Sequence, residues 1–528
     1  MQSEKLIDLP LYMRVSREKT NGVVYTPLWI VELILNKVGY EKSIIGKKIV
    51  DPACGEGNFL IVIVKRLLQQ CKKDGFLSNE IKKTLHESIY GFEIDKDAIV
   101  RCKINLDNIA ESFGIQGVKW NILNYDSLDK IRTEKYFNYF DYVVGNPPYV
   151  RIQHLGEVRR RKIQRDWSFC VSGSTDIYIA FFELGLNLLN ERGRLGYITP
   201  NTYFRTETAK SLRYYLVANN LIKEIVDFKH YQVFDNATTY SAITILDANW
   251  KKVKFLYYEG GKENIQLVDE IEYSNINHNI WILSSNDNLK RIKEIENKGI
   301  ALGKIAKIHV GVTTLADEFY IFKDPIIRGN KAVIKLKDGR EYLIERDMLR
   351  PIVKASVLKV ANENQNRYII FPYKKISGKH VIIPEVEFKK AYPDTYAYFS
   401  AIKQRLQLRD KGELDSKEWY AFGRSQGLDT SWGRKILVPP LGLKPNFIVW
   451  EKEEYTFYAG YCIKFDGDLH WLAKQLNSKD MEFYIKHVAR DYQNGYKSYA
   501  KSFITNFGIV GYKEKSNEDL PIFISSDF

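Results

Sequence analysis

The strongest constraint on the fold is a regular alternation of patterns between residues 47 and 150. Short apolar runs at "KKIVD", "SIYGFEID", "KWNIL" and "YFDYVVG" are separated by turns and by longer amphipathic stretches. Short buried strands that alternate with helices are typical of a parallel sheet with helices on both faces. Similar patterns continue to Trp250. The sequence therefore predicts an α/β domain over residues 1–250.

The second half of the chain has a different texture. Residues 251–528 contain short β-like runs, such as "KFLYY", "RYIIFPY" and "KILVPP", between charged, irregular segments. Two helices are predicted there, one within residues 391–412 and one within residues 469–489. A chain of 528 residues is long enough for two or three domains. We therefore expect a separate α+β domain over residues 251–528.

Charge and cysteine usage narrow the class of partner and compartment. The formal net charge of +14 favours a polyanionic partner, with nucleic acid as the first candidate and an acidic membrane surface as the second. The five cysteines form no CxxC pair and no zinc spacing, so we expect reduced thiols and no metal site. No signal peptide is recognisable in Met1–Pro10, and no apolar run is long enough to cross a membrane.

A glycine-bearing loop follows the first predicted strand. The segment "DPACGEGNF" at residues 51–59 lies between a strand and a helix. Its two glycines allow the backbone to turn tightly and to approach a ligand at the carboxyl ends of parallel strands. The third glycine of a dinucleotide fingerprint is missing. The loop therefore predicts a small-molecule site of another kind.

An acidic residue follows each of the first three predicted strands. Asp51 can face a sulfonium or an α-amino group, Glu93 can accept hydrogen bonds from two ribose hydroxyls, and Asp126 can accept from an adenine amino group. Each carboxylate taken alone is equally typical of a helix N-cap or a solvated loop. The three in this order favour adenosine that carries a positive sulfur.

The fourth strand ends in the turn Asn146-Pro147-Pro148-Tyr149. Two prolines make the turn rigid and extended, and they remove two backbone donors. The Asn146 side-chain oxygen and the Pro147 carbonyl are then positioned acceptors that can hold the hydrogens of an aromatic amine. Such a grip localises the nitrogen lone pair and aims it at a methyl group, so positioning supplies most of the catalysis. Tyr149 is expected to stack on the substrate ring.

These motifs together resemble the gamma-class adenine DNA methyltransferases of the TaqI type. "VVYTPLWIVELIL" at residues 23–35 resembles the N-terminal cofactor motif of that class, and "VFDNATTYSAITIL" at residues 233–246 resembles a later motif whose phenylalanine packs on the target base. The resemblance implies catalytic residues Asn146, Pro147, Pro148, Tyr149 and Phe234. It implies that S-adenosyl-L-methionine contacts Thr26, Asp51, Ala53, Gly55, Gly57, Phe59, Glu93, Ile94, Asp126 and Asn146.

The same resemblance implies a Rossmann-like catalytic domain, a mechanism and a setting. An adenine stacked in a duplex cannot present its amine, so we expect base flipping in double-stranded DNA, with Tyr149 and Phe234 on either side of the base. We also expect a monomer on DNA, in the cytoplasm of a prokaryote at the nucleoid. A separate cognate restriction endonuclease is compatible with such a system.

Residues 251–528 more loosely resemble the target-recognition domains attached to these enzymes. Arginine suits guanine and glutamine suits adenine, so candidate DNA contacts are Arg424, Gln426, Arg434 and Lys435. A cationic run after the catalytic turn is a candidate phosphate clamp, at Arg159, Arg160, Arg161 and Lys162. A solvated polar surface is an equally simple reading of both sets.

Three other functions are compatible with parts of this pattern. Glutamine and ribosomal-RNA guanine methyltransferases use similar chemistry, but a second half of this size has no obvious use there. A non-catalytic DNA-binding subunit would not need every motif position intact. A fused nuclease is disfavoured because "EFK" at residues 387–389 lacks a suitably placed upstream P-D and because only about twenty residues precede the first cofactor motif.

Overall fold

The computed structural model describes residues 26–171, 175–234, 239–250, 252–276, 279–409 and 419–512. Several stretches used above lie outside the described residues: Met1–Pro10, residues 23–25 of the N-terminal motif, residues 235–238 of the later motif and residues 410–412 of the segment predicted as a helix. The chain divides into two compact units, Met1–Leu289 and Lys290–Phe528.

The first unit contains the elements of the predicted α/β domain. Its helices are α1 (Leu28–Val38), α2 (Asn58–Lys73), α3 (Ser78–Ser88), α4 (Lys96–Ser112), α5 (Lys130–Thr133), α6 (Glu157–Asp166), α7 (Tyr178–Leu188) and α8 (Lys210–Ala218), and α9 (Asn286–Asn297) begins at its end. Its strands are β1 (Ile49–Asp51), β2 (Ile89–Glu93), β3 (Asn121–Asn124), β4 (Phe140–Gly145), β5 (Leu189–Pro200), β6 (Ile222–Asp227), β7 (Ser241–Asp247), β8 (Lys254–Glu259) and β9 (Gln266–Glu272).

All of these strands belong to one sheet with the order β3-β2-β1-β4-β5-β7-β6-β8-β9. Strands β3, β2, β1, β4 and β5 are parallel, as predicted, and their order reverses beside β1 as in doubly wound folds. Strand β7 runs antiparallel between β5 and β6. The carboxyl ends of β1 to β4 therefore meet at one edge of the sheet.

Hydrophobic cores cover both faces of this sheet. Apolar residues of α1 to α4 form one cluster, and apolar residues of α6, α7 and α8 form another. Neighbouring strand residues contribute to opposite cores: Val143 belongs to the second cluster and Val144 to the first. Strands that are buried on both faces read as continuous apolar runs, which explains why the sequence pattern was clear.

The division between the units lies later than the sequence predicted. It falls after Leu289 rather than near Trp250. The reason is that β8 pairs with β6 and β9 pairs with β8, so both strands extend the large sheet. The run "KFLYY", assigned above to the second domain, is β8 of the first.

The second unit mixes short helices and strands. Its helices are α10 (Leu302–Ile305), α11 (Asp317–Tyr320), α12 (Glu385–Ala391), α13 (Pro393–Gln407), α14 (Leu469–Leu476), α15 (Lys479–Val488) and α16 (Lys501–Ile504). Its strands are β10 (Ile300–Ala301), β11 (Lys307–Val310), β12 (Ile321–Lys323), β13 (Ile326–Arg328), β14 (Lys331–Lys335), β15 (Glu341–Glu345), β16 (Leu349–Lys354), β17 (Arg367–Ile370), β18 (Tyr373–Ile376), β19 (Lys379–Ile382), β20 (Lys435–Val438), β21 (Leu441–Gly442), β22 (Ile448–Trp450), β23 (Thr456–Tyr458), β24 (Tyr461–Lys464), β25 (Lys497–Ser498) and β26 (Gly508–Ile509).

These strands form several small sheets, including β11-β24-β20-β22 and β12-β17-β16-β23. The α+β prediction agrees with this architecture, but the single helix predicted within residues 469–489 is two helices. Ser478 caps α15 by accepting from the Met481 N–H at 3.2 Å, and the Asn477 amide makes two hydrogen bonds to the Phe447 backbone. In the described ranges, no helix combines the length and apolarity needed to cross a bilayer.

Candidate active site

The glycine loop places the backbone beside the carboxyl end of β1. Gly55 and Gly57 have φ values of 51° and 93°, a region that favours glycine, and α2 starts directly after Gly57. A Cβ atom on Gly57 would lie 2.8 Å from the Cys102 Sγ atom. The loop is therefore fixed both by its own conformation and by its contact with α4.

Asp51 is a buried carboxylate at the end of β1. Its Oδ1 atom accepts a hydrogen bond from the Ala53 N–H at 3.0 Å. Among the described residues it has no ion-pair partner, and burial raises the pKa of Asp51 to about 7. A cationic ligand at this position would favour the ionised carboxylate.

Glu93 holds the glycine loop from the end of β2. Its Oε2 atom accepts from the Gly55 N–H at 2.9 Å, and its Oε1 atom accepts from the Ile94 and Asp95 N–H groups at 2.8 and 2.9 Å. Three backbone donors thus engage both oxygens of this carboxylate. Glu93 therefore links the first two strand ends of the site.

Asp126 follows β3 and forms an ion pair with Arg159 of α6. The distance from Arg159 Nη2 to Asp126 Oδ2 is 3.0 Å, and the other carboxylate oxygen accepts from the Leu128 N–H at 3.2 Å. Helix α6 is also tied to the same loop by an ion pair between Lys162 and Asp129 at 2.9 Å. Arg159, predicted above as a phosphate contact, therefore lies against a predicted cofactor residue.

The predicted catalytic turn, Asn146 to Tyr149, begins beside Asp51. Gly145 ends β4, and a Cβ atom built on it would lie 2.6 Å from the Asp51 Oδ1 atom. The Asn146 Nδ2 group donates to the Thr26 Oγ1 atom at 3.1 Å. This bond fixes the orientation of the Asn146 amide, with the Oδ1 atom as its acceptor end. Two motifs separated by 120 residues in sequence are thus in direct contact.

The rings of Tyr149 and Phe234 contact each other. Their centroids are 6.3 Å apart at an interplanar angle of 69°, and Phe234 is buried. The Tyr149 hydroxyl donates to the Ile198 carbonyl at 3.4 Å, and burial raises the pKa of this hydroxyl well above its usual range. The rings are not parallel, so the expected arrangement around a base requires at least one ring to move.

The other predicted cofactor and turn residues have different surroundings. The backbone N–H groups of Ala53 and Ile94 donate to the carboxylates of Asp51 and Glu93, and the Ile94 side chain is exposed. Phe59 lies in the first turn of α2 and is buried in the core. Pro147 is buried and Pro148 is half-buried.

The predicted DNA contacts have varied surroundings. Arg160 is half-buried, and Arg161 is exposed and pairs with Glu157 at 2.5 Å. Arg424 and Gln426 are exposed, whereas Arg434 forms a two-pronged ion pair with Glu451. Lys435 is not a surface residue: it is buried, it donates to the Gly433 and Tyr455 carbonyls, and burial lowers its pKa to about 7. The expectation that Lys435 contacts a base or a phosphate is therefore wrong, because its ammonium group is buried and bonded within the unit.

Sequence reasoning missed two residues of this site. Tyr178 of α7 packs edge-on against Tyr149, with centroids 6.4 Å apart. Gly145 permits the close approach of the catalytic turn to Asp51. A glycine directly before the Asn-Pro-Pro run was a usable signal, but nothing in the local sequence marks Tyr178. In the described ranges, no group of three His, Cys, Asp or Glu side chains is arranged to hold a metal ion.

Comparisons with known proteins agree with this geometry. Residues 87–234 match the family model of the Eco57I restriction-modification methylase. The chain is 28% identical to the Type II restriction enzyme and methyltransferase RM.Eco57I of Escherichia coli, over 88% of this chain and 54% of that protein. It is 25% identical to the Type II methyltransferase M.BstVI of Geobacillus stearothermophilus, over 95% of this chain and 92% of that protein.

The chain is therefore similar to restriction–modification methyltransferases over most of its length. It spans about half the length of the E. coli relative. Its fold also resembles a solved structure of the Type IIL restriction-modification enzyme MmeI in complex with DNA, with a TM-score of 0.59 at 15% identity over 91% of this chain and 65% of that one. The predicted resemblance to restriction–modification methyltransferases and the predicted Rossmann-like fold with an additional domain are both confirmed.

The cofactor of such a methylase is S-adenosylmethionine, and the described residues fit it. Asp51 is a buried carboxylate without a cationic partner in the described part of the chain, which suits a positive sulfur or an ammonium group. The Gly145 backbone leaves no room for a side chain beside that carboxylate. Glu93 and Asp126 supply acceptor oxygens at the next two strand ends. No metal is needed to explain this donor set.

Proposed function

We propose that this chain transfers a methyl group from S-adenosylmethionine to the exocyclic N6 amine of adenine in double-stranded DNA, at a specific sequence. The observation that carries the proposal is that the turn at residues 145–149 contacts two predicted cofactor residues, Asp51 and Thr26. Gly145 adjoins Asp51, and Asn146 is hydrogen-bonded to Thr26. An amine gripped by the turn would lie next to the residues proposed to hold the cofactor.

In this proposal, the residues of the chain contribute to catalysis by positioning the substrate amine. S-adenosylmethionine, when bound, supplies an electrophilic methyl group. The Asn146 Oδ1 atom and the Pro147 carbonyl accept the two hydrogens of the amine, which localises its lone pair. Thr26 keeps the Asn146 amide in the orientation that presents an acceptor. Asn146 at the first motif position favours adenine over cytosine, where a serine is usual.

Base flipping is part of the proposal. An adenine in a duplex must leave the stack to reach the turn, and Tyr149 and Phe234 would hold its faces. In the structure the two rings contact each other edge-to-face. A flipped base would separate the rings and replace this contact with stacking on each of them.

Residues 290–528 are proposed to recognise the target sequence. Two observations support DNA as the partner: the net charge of +14 and the solved complex of the structurally similar enzyme MmeI with DNA. Arg160, Arg161, Arg424 and Gln426 remain candidate contacts. We propose a monomer on DNA that protects sites from a separate cognate endonuclease.

The proposal is tested by sequencing that detects modified bases. DNA is prepared from cells that express the wild-type chain, Asn146→Ala or the matched control Asn108→Ala, which changes an exposed residue of α4. We expect N6-methyladenine at one short motif with the wild type and the control, and none with Asn146→Ala. Methylation that survives Asn146→Ala would overturn the mechanism. Absence of modified adenine from wild-type cells would redirect the search to other amines, in RNA or protein.

A further inference from the structure

The second unit contains a cavity of about 420 Å³ beside the β18–β19 hairpin. Its walls include the rings of Phe371, Tyr373, His380 and Trp432, together with the Asp429 carboxylate and the Lys375 side chain. We call it the hairpin pocket. Neither the proposed methyl transfer nor the motifs described above use these residues.

The rings of the hairpin pocket form a rigid aromatic wall. Phe371 meets His380 and Trp432 edge-to-face, with centroids 5.1 and 5.4 Å apart at 85° and 89°. His380 and Trp432 are themselves inclined by only 31° at 5.7 Å. Phe371 is buried, whereas His380 and Trp432 are half-buried and line the opening. Such a wall suits a planar ring, and aromatic side chains stack on any nucleobase.

His380 is held in one position by Asp429. The Asp429 Oδ1 atom accepts from the His380 backbone N–H at 2.8 Å and lies 2.7 Å from the His380 Nδ1 atom. Because Nδ1 is engaged, Nε2 is the ring nitrogen that can bond a ligand. The wall therefore combines stacking surface with a polar edge group, the two features with which proteins read an unstacked base.

The hairpin also carries positive charge. Residues 373–382 read "YKKISGKHVI", with three lysines and no acidic residue. Lys375 lies directly across from His380 in the hairpin register, so the two side chains share a face. Lys374 pairs with Glu387, but neither Lys375 nor Lys379 has an ion-pair partner within the described residues. Lys375 therefore supplies a positive charge at the pocket for a phosphate.

We propose that the hairpin pocket binds one unstacked nucleotide of the DNA, separate from the adenine held at the catalytic turn. Its base stacks on the wall formed by His380 and Trp432, and its phosphate pairs with Lys375. This inference rests on the proposed function, which supplies DNA as the partner. A bound nucleotide would make this unit sensitive to how readily one step of its site unstacks, in addition to any groove contacts.

The decisive test is a cycle between pocket variants and abasic DNA. A duplex with the methylated motif is made with an abasic analogue at each position in turn, and the affinity of the full chain is measured by fluorescence anisotropy. At one position other than the methylated adenine, we expect the abasic analogue to weaken wild-type binding about tenfold and to have little effect on His380→Ala. Equal losses for both proteins at every position would overturn the inference.

A second measurement avoids any change inside the pocket. Lys375 is exposed, and its replacement by alanine should lower the slope of log affinity against log salt concentration by about one, as expected when one phosphate contact is lost. Lys337→Ala is the matched control, because Lys337 is an exposed lysine of the same unit. A slope unchanged by Lys375→Ala would also overturn the inference.

Methylation separates the two proposals. If the wild-type chain methylates DNA but shows neither the abasic coupling nor the change in salt slope, the hairpin pocket has no nucleotide and the proposed function stands. If the wild-type chain methylates no DNA, both proposals fall together. Free deoxynucleoside monophosphates should not compete for the duplex at micromolar concentration, and competition would assign the pocket to a free nucleotide instead.

Discussion

At the scale of a single residue, Asp51 makes the proposed cofactor site sensitive to pH. Burial raises its pKa from 3.8 to about 7, so the folded chain binds an extra proton between these values. The stability contributed by Asp51 is therefore present at low pH and falls as pH rises through this window. A bound cation would reverse the preference by stabilising the carboxylate.

We therefore expect cofactor affinity to rise with pH and to level off above about pH 7. Below that pH, binding must release the proton of Asp51, so the dissociation constant should change by up to about tenfold per pH unit. Isothermal titration from pH 5.5 to 8.5 measures the profile. Asp51→Asn should bind more weakly with a flat profile, and a flat profile in the wild type would contradict the assignment.

Glu93 is expected to control cofactor affinity in a different way. Glu93→Ala removes the acceptor of three backbone N–H groups and the proposed acceptor for the ribose, so the dissociation constant should rise at least about tenfold. Glu111→Ala, on the exposed surface of α4, is the control. An unchanged dissociation constant for Glu93→Ala would remove Glu93 from the site.

Arg159 and Arg161 separate cofactor binding from DNA binding. Arg159→Ala leaves Asp126 without its ion pair, so cofactor affinity should fall about two- to fivefold, the size expected for a half-exposed ion pair. Arg161→Ala removes a charge whose ion pair, among the described residues, is with Glu157 of the same helix, and it should leave cofactor affinity unchanged. Arg159→Lys should restore part of the loss. If Arg159→Ala weakens only DNA binding, the phosphate-clamp prediction is the correct one.

At the scale of elements, the start of α2 depends on a glycine that meets α4. Gly57 and Gly114 both have positive φ, at 93° and 75°, but only Gly57 would bring a Cβ atom within 4 Å of a neighbour, the Cys102 Sγ atom at 2.8 Å. Two substitutions can therefore separate backbone conformation from crowding.

Gly114→Ala should lower the free energy of unfolding by about 1 to 2 kcal/mol, because an L-residue is strained at positive φ. Gly57→Ala should lower it by about 1 to 3 kcal/mol more, because α4 must move away from the new methyl group. Urea unfolding of both variants gives the comparison. Equal losses would show that the Cys102 contact yields without cost.

The helical segment at residues 469–489 of the second unit shows what a sequence pattern can determine about an element. Apolar residues recur at helical spacing through residues 469–489, so the pattern predicts a single helix. The break at Asn477 and Ser478 follows from a cap and from two hydrogen bonds to Phe447, 30 residues away. The pattern located the helical segment correctly, but the break depends on a distant backbone.

At the scale of the whole molecule, the position of the unit boundary predicts which truncations fold. A chain that ends at residue 289 keeps β8 and β9, whereas a chain that ends at residue 250 exposes the edge of β6 and removes apolar cover. We expect the longer fragment to be monodisperse and to bind cofactor, and the shorter fragment to aggregate. Size-exclusion chromatography and titration test this, and equal behaviour of both fragments would contradict the boundary.

The sequence by itself determined the doubly wound half of the sheet and which candidate residues stand at its strand ends. Strands β1, β2 and β4 carry short apolar runs because they are covered on both faces, and the residues after β1 to β4 share one edge because parallel strands end together. The positions of Asp51, Glu93 and Asn146 at this edge were therefore predictable from the strand pattern, while their roles remain proposals.

Only the tertiary structure decided how these residues meet. The Thr26–Asn146 hydrogen bond, the Arg159–Asp126 ion pair and the contact of Tyr149 with Phe234 join residues 33 to 120 positions apart. The antiparallel direction of β7 and the extension of the sheet by β8 and β9 depend on pairing between distant strands. Local patterns record which face of an element is buried, but they do not record which distant partner buries it.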